Sequence, residues 1–281
     1  MATGATWVSR NQAELQKVRA YIENFPAHKP AVFRYFQGGT APIFPMSPQS
    51  DQGTALLLCF CALYQNIEEE KLAGLLERLW GRYGTDVFRL NKLPFEALQK
   101  EIHRFPGLAN WALVEKAPGI LRSLCDFFFK HGSLHSWVYG LKDGEACVRV
   151  LADEIFLMGK TSPFKSKPRF FLWLLTQLEG SRPELFWTNR TMLPLSPGHV
   201  RFLRQFGPLK TRKAAPWSNP EAKLDYFNRF CRMLFPDRPW ITFTPLSDYL
   251  QTAKTDHWMC RLKLGGCLQC PLVADCPGRV I

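Results

Sequence analysis

The sequence predicts an all-α protein. Three observations point there. Apolar residues recur at helical spacing along most of the chain. No stretch sustains the polar–apolar alternation of a half-buried strand, and no hairpin turn of the Asn-Gly kind joins two such stretches. Prolines and glycines fall mainly between the periodic segments, where they end helices.

Each element follows from its pattern. Leu15, Val18, Tyr21, Ile22 and Phe25 give a helical face over residues 1–25. Pro26, Pro30, Pro42, Pro45 and Pro48, with Gly38 and Gly39, make residues 26–50 a loop or extended connector. Gly53 to Tyr64 reads as a buried helix, and Glu68 to Tyr83 as an amphipathic one with Leu72, Leu75, Leu76 and Leu79 on one stripe. Glu68, Glu69 and Glu70 form its solvated first turn, where negative charge suits a helix N-terminus. Asp86 to Leu90 reads as a connector. Pro94 to Phe105 opens with proline in its first turn. Pro118 to His131, Cys147 to Met158 and Arg169 to Leu178 follow as helices, with a lysine-rich turn over Gly159 to Pro168. Gly198 to Phe206 and Asn219 to Phe235 complete the set.

At 281 residues and 46% hydrophobic, the chain can bury one or two cores and is not a disordered polymer. Its longest apolar run, Ala55 to Tyr64, is half the length of a membrane span. Met1 to Leu15 has no basic segment followed by an apolar one, so no secretory signal is expected. The nine cysteines are an odd number in a chain too large to need disulfide staples. They read as reduced thiols and metal ligands in a cytoplasmic, monomeric protein. No phosphate loop, dinucleotide fingerprint or H-E-x-x-H site occurs.

The net charge of +12 is concentrated. Residues 160–240 hold 15 Lys/Arg against 5 Asp/Glu, whereas residues 1–159 hold 17 against 16. A localised basic block suits a polyanion, because each neutralised phosphate releases condensed counterions. A solvated basic surface is the plainer alternative.

The sharpest motif is Cys260, Cys267, Cys270 and Cys276, spaced C-x6-C-x2-C-x5-C. Four thiolates so close in sequence can converge on one metal centre, and Cys is the usual ligand of iron–sulfur clusters. A structural zinc site is the alternative, though such sites more often use two short C-x2-4-C knuckles, and here only Cys267 and Cys270 form one. Cys59, Cys61, Cys125, Cys147 and Cys231 lie in apolar helical context and read as plain buried thiols.

This spacing resembles the 4Fe–4S loop of the endonuclease III and adenine-glycosylase branch of the helix-hairpin-helix DNA glycosylases. Asp256-His257-Trp258-Met259 leads into Cys260 as a helix leads into that loop. Met192 to Val200, M-L-P-L-S-P-G-H-V, resembles the family's turn that carries a catalytic Asp, commonly V-D-T-H-V or, in a bacterial group, P-L-D-T-H-V. Tyr64-Gln65-Asn66-Ile67 resembles that group's Tyr-Gly-Asn-Val element, and Ser166 to Leu175 one of its long helices. The resemblance spans roughly residues 50–276 and is loose outside the cluster.

The resemblance implies a two-lobed helix-hairpin-helix fold. Residues 1–50 would pack with the cluster lobe, residues 51–190 would form a helical barrel ending in a degenerate hairpin, and residues 191–281 would carry the cluster. Double-stranded DNA would be the partner, with no membrane. Gln65 would fill the gap left by a flipped base, or be an ordinary helix-terminal residue. Lys165, Lys167 and Arg169 beside the hairpin, and His199, Arg201, Arg204, Lys210, Arg212 and Lys213 after the turn, would contact DNA, the cations through its phosphates, while His199 reads equally well as a capping or core histidine.

The departures fall on the chemistry. Aligned on His199, the family's Asp position is Pro197, which can neither act as a base nor stabilise a cation. Ser196 is a poor substitute, and Asp153 and Glu154 are the nearest carboxylates in sequence to the hairpin. The Schiff-base lysine of the bifunctional enzymes falls on Ser166, with Lys165 and Lys167 on either side, so no covalent adduct is expected on an ungapped match. The implied function is a base-excision enzyme with a divergent site acting on damaged or modified bases. A non-catalytic DNA- or damage-binding protein on the same scaffold is the alternative, and a redox-sensing protein of single-stranded RNA a weaker one.

Overall fold

The computed structural model describes residues 12–25, 31–37, 43–185, 187, 191–206, 219–247 and 272, and these are helical with no strand among them. The helices are α1 (Gln12–Glu23), α2 (Arg34–Gln37), α3 (Asp51–Leu63), α4 (Glu69–Tyr83), α5 (Phe95–His103), α6 (Ala117–His131), α7 (Leu134–Leu141), α8 (Gly144–Glu154), α9 (Ser166–Thr176), α10 (Pro197–Phe206), α11 (Pro220–Leu234) and α12 (Phe243–Ser247). Short 3-10 turns cover Ala31–Phe33, Gly84–Lys92, Pro183–Leu185 and Pro239–Thr242. The chain divides into two compact units, residues 29–192 and residues 1–28 with 193–281.

In the larger unit α3 is the central rod. Every residue from Gly53 to Leu63 is buried, because α4, α6, α7 and α9 pack around it. That explains its uniformly apolar sequence, since a helix covered on all sides needs no polar face. Ser50 caps it by accepting from the Gly53 N–H at 3.0 Å. Gly53 is required for space: a Cβ there would lie 2.0 Å from the Ser47 carbonyl oxygen. α4 buries the predicted leucine stripe, Leu72, Leu75, Leu76 and Leu79.

In the smaller unit α1 packs on α11 and α12, and α10 packs on α12. The Tyr21 ring stacks on Phe202 at 6.1 Å, and its hydroxyl donates to the Pro245 carbonyl at 3.1 Å. Asn219 caps α11 through the Glu221 N–H at 2.9 Å. Buried Asn228 works like a strand partner for Leu193: its Oδ1 accepts the Leu193 N–H at 2.6 Å.

The structure corrects the reading of several segments. Residues 26–50 contain helical turns at Ala31–Phe33 and α2, not only connector. Val32, Phe33, Tyr35 and Phe36 are buried there, and the prolines bracket this apolar run rather than interrupt it. Residues 29–50 also fall in the larger unit, not with the C-terminal segment. Asp86 to Leu90 lies in a 3-10 turn anchored by buried Val87 and Leu90. α7 and α12 have no counterpart in the periodicity, because eight and five residues are too few to establish one.

Candidate functional site

Two places singled out by the sequence lie among the described residues. The first is where the C-terminal end of α3 meets the N-terminal end of α9. Helix α3 stops at Tyr64, whose N–H still bonds to the Phe60 carbonyl at 2.8 Å, and Asn66 takes a left-handed φ of 54° that turns the chain away. Tyr64, Gln65 and Asn66 are all exposed. The turn is pinned from below by buried Trp111, whose indole N–H donates to the Gln65 carbonyl at 3.0 Å. The Gln65 side chain is thereby held at the surface by its own backbone.

Lys167 sits one residue into α9. Its ammonium donates to the Ala62 carbonyl at 2.5 Å, in the last turn of α3, where a helix presents free carbonyls and partial negative charge. Burial lowers its pKa to about 8, and the neighbouring buried Cys61 thiol offsets this slightly. At pH 7 about one molecule in ten therefore carries the neutral amine, against fewer than one in a thousand for a free lysine. Tyr64 stacks on Phe60 at 5.2 Å and on Phe170 at 6.4 Å, and Phe170 stacks on Trp173 at 5.7 Å. The aromatic ladder thus runs from α3 onto α9 beside the amine. Burial, followed by Glu69 and Glu70, raises the Tyr64 pKa, so its phenol stays protonated. Glu70 is also salt-bridged to Arg34.

The remaining hairpin residues divide sharply. Lys165 has a left-handed φ of 42° and folds its amine back onto the Lys160 carbonyl at 3.2 Å. Ser166 is exposed, and no side chain caps α9. Arg169 is not available to phosphate, contrary to the expectation. It is buried, forms a bidentate pair with Glu145, and donates to the Phe164 and Met192 carbonyls, each at 3.0 Å. Glu145 also accepts the Met192 N–H at 2.7 Å. Arg169 is a brace for the hairpin and the segment before Leu193, with its donors spent inside the protein. Asp153 is exposed on α8, while Glu154 pairs with Lys130 and His131 at 2.7 and 2.8 Å.

The second place is the turn at Ser196-Pro197-Gly198-His199, the start of α10. Ser196 Oγ accepts the His199 N–H at 3.4 Å, and His199 Nδ1 accepts the Ser196 N–H at 2.9 Å. This is a reciprocal cap with histidine in the role usually played by Glu or Gln. The Phe243 carbonyl, 3.0 Å from Nε2, fixes the tautomer: Nε2 carries the hydrogen and Nδ1 is free to accept. The ring is fully buried against Phe227 and Phe243 at 4.3 and 5.0 Å. Burial lowers its pKa to about 3, so it is neutral. The His199 ring is therefore closed off from any external ligand, contrary to the expectation of a contact residue, and Ser196 is engaged as a cap.

Arg201 and Arg204 belong to α10, but their side chains lie outside the described residues, as do Lys210, Arg212, Lys213 and the four cysteines Cys260, Cys267, Cys270 and Cys276. Leu272, between the last two cysteines, is buried. Among the described residues there is no cluster of three or more metal-ligating side chains, and the other five cysteines are buried free thiols. No described helix is long and apolar enough to cross a membrane. No family model, curated protein or solved structure matches the chain.

Sequence reasoning singled out Gln65 and Lys167 but missed Tyr64, Phe170 and Trp173 as a connected ladder. The i, i+3 spacing of Phe170 and Trp173 was a usable signal for a shared helix face. The partnership of Tyr64 with Phe170 had none, because it joins residues far apart in the chain.

Proposed function

We propose that this chain is a DNA-binding protein of the base-excision type, with a divergent site at the junction of α3 and α9. The observation that carries the reading is the Lys167 amine, partly buried, of lowered pKa, and adjacent to the exposed Gln65 turn. A neutral amine can attack the aldehyde carbon of an open abasic sugar. The nitrogen–carbon bond forms, the carbonyl oxygen leaves as water, and an imine remains. The lowered pKa of Lys167 supports an adduct at this lysine, although the aligned Schiff-base position is Ser166. Gln65 is the side chain that would occupy the space of a displaced base.

The net excess of Lys and Arg over residues 160–240 supports the phosphate contacts, with Lys160 exposed on the hairpin. The C-x6-C-x2-C-x5-C spacing supports a 4Fe–4S cluster on Cys260, Cys267, Cys270 and Cys276. Such a cluster would supply folding free energy to the terminal segment. The protein purified without oxygen is then brown, and a colourless preparation with one zinc per chain removes the cluster.

The test of function is borohydride trapping on an abasic duplex, run beside a salt titration of duplex binding. The expected outcome is a reduced adduct that disappears in Lys167→Ala while salt-dependent binding persists. Binding without any adduct supports the second reading, a non-catalytic damage-binding protein. That reading is favoured by Pro197 at the aligned Asp position and by the use of Ser196 as a cap. Binding that does not respond to salt, or none, removes the nucleic-acid reading.

A further inference from the structure

The loop between α8 and α9 carries two exposed apolar side chains on a strained backbone. Ile155 and Met158 are 2% and 0% exposed and anchor it, whereas Phe156 and Leu157 between them are 49% and 38% exposed. Leu157 has a φ of 57°, a left-handed conformation that a leucine rarely adopts, and Gly159 follows at 111°. The loop is tightly stapled. The Phe156 N–H donates to Ser123 Oγ at 3.0 Å, the Met158 N–H to the Ile155 carbonyl at 3.2 Å, and the Ser162 N–H to the Gly159 carbonyl at 3.0 Å. Lys165 closes it from the far side through the Lys160 carbonyl at 3.2 Å. The Phe156 ring lies over the first turn of α6, where a Cβ on Gly119 would be only 3.4 Å away. The backbone thus bends unfavourably to hold two large apolar groups in water, which the hydrophobic effect alone would reverse.

The electrostatics select the occupant. Residues 155–167 contain Lys160, Lys165 and Lys167 and no Asp or Glu. Of the two carboxylates just before them, Glu154 is paired with Lys130 and His131, which leaves Asp153, exposed on α8, against the three lysines. Two apolar side chains are too few to hold a protein at a bilayer, where a whole helical face is normally needed. They are the number that a wedge between two base steps requires, with cations to hold the flanking phosphates. We propose that Phe156 and Leu157 form an apolar wedge that enters and unstacks duplex DNA, with Lys160 on the adjoining phosphate. The proposal rests on the DNA-binding reading above and adds a contact that the Lys167 site does not provide.

The experiment uses the full chain and duplexes carrying 2-aminopurine at successive positions, whose emission rises when its stacking is lost. Wild type is expected to raise the emission at one or two adjacent positions. Phe156→Ala with Leu157→Asn, chosen because Asn tolerates the left-handed backbone, is expected to abolish that rise. Affinity is expected to fall about tenfold with the salt slope unchanged. Salt-dependent binding with no rise in emission, or with an equal rise in the variant, overturns the wedge and leaves the DNA reading intact. No salt-dependent binding to any duplex overturns both. Binding of wild type to phosphatidylserine vesicles, lost in the variant while duplex is not bound, assigns the pair to a membrane surface instead.

Discussion

The α3–α9 junction and the Ser196–His199 turn contain similar chemistry on paper and opposite chemistry in space. Each places a serine beside a basic side chain in a segment that resembles a glycosylase motif. At the junction, Lys167 is only partly buried and keeps one hydrogen bond, to Ala62, three residues before exposed Gln65. At the turn, His199 is fully buried, both ring nitrogens are engaged, and its basicity is suppressed. Burial lowers the pKa in both, but to different effect. A lysine brought down to about 8 becomes a usable nucleophile near neutral pH, whereas a histidine brought down to about 3 ceases to be a base. Burial therefore creates a functional candidate only where the shifted group can still reach a substrate.

Four substitutions break or sharpen this contrast. The largest effect is expected at the brace behind the junction. Arg169→Ala leaves Glu145 without its bidentate partner in a site where Arg169 is nearly solvent-free, so stability should fall by about 3–5 kcal/mol in urea unfolding. A loss below about 1 kcal/mol would show that the pair is not a brace.

His199→Ala should cost about 2–4 kcal/mol, from the emptied ring volume and the lost hydrogen bonds to the Ser196 N–H and the Phe243 carbonyl. Its pH signature is more specific. The folded pKa lies below the unfolded value of about 6.5, so the unfolded chain binds the extra proton. The contribution of His199 is complete above about pH 6.5 and declines as pH falls toward 3. The variant should lack that component of acid sensitivity in melts across the window.

Ser196→Ala removes the Oγ half of the reciprocal cap and also the hydroxyl's 2.9 Å hydrogen bond to His199 Nδ1, and should cost about 1–2 kcal/mol. A variant that retained stability but lost the borohydride-trapped adduct would instead return Ser196 to the chemistry.

The smallest stability effect is expected at Lys167. In Lys167→Met the relief of a partly buried ammonium and the loss of its hydrogen bond to the Ala62 carbonyl oppose each other, so the net change at pH 7 should be under about 1 kcal/mol. Here too the unfolded chain holds the extra proton, between a folded pKa of about 8 and an unfolded one of about 10.4. Wild-type stability should therefore rise with pH across that window, and the variant should not show this rise. Competitive amine labelling read by peptide mapping should find Lys167 with an apparent pKa near 8, well below the surface lysines. An ordinary lysine profile would erase the distinction between the two regions.

Local patterns were enough to read most helices. The leucine stripe of α4, the uniformly apolar α3 and the proline and asparagine starts of α6 and α11 were visible because 3.6-residue periodicity and capping are short-range properties. Ser196 and His199 also form a short-range cap, but their recognition needed the ring nitrogens placed. A Ser-Pro-Gly-His string fits a cap and a degraded catalytic turn equally well.

What the sequence determined by itself was the helical class, the local concentration of positive charge and the four-cysteine spacing. These depend on composition and on neighbours along the chain. Only the tertiary structure decided that Arg169 faces Glu145 rather than solvent, that Lys167 rests on the end of α3, and that Tyr64 stacks on Phe170. Each of those facts joins residues distant in sequence, and desolvation there is set by what packs overhead. The same lysine or arginine letter can therefore mean a phosphate contact, a buried brace or a nucleophile, and the choice among them is made by burial and hydrogen-bond geometry.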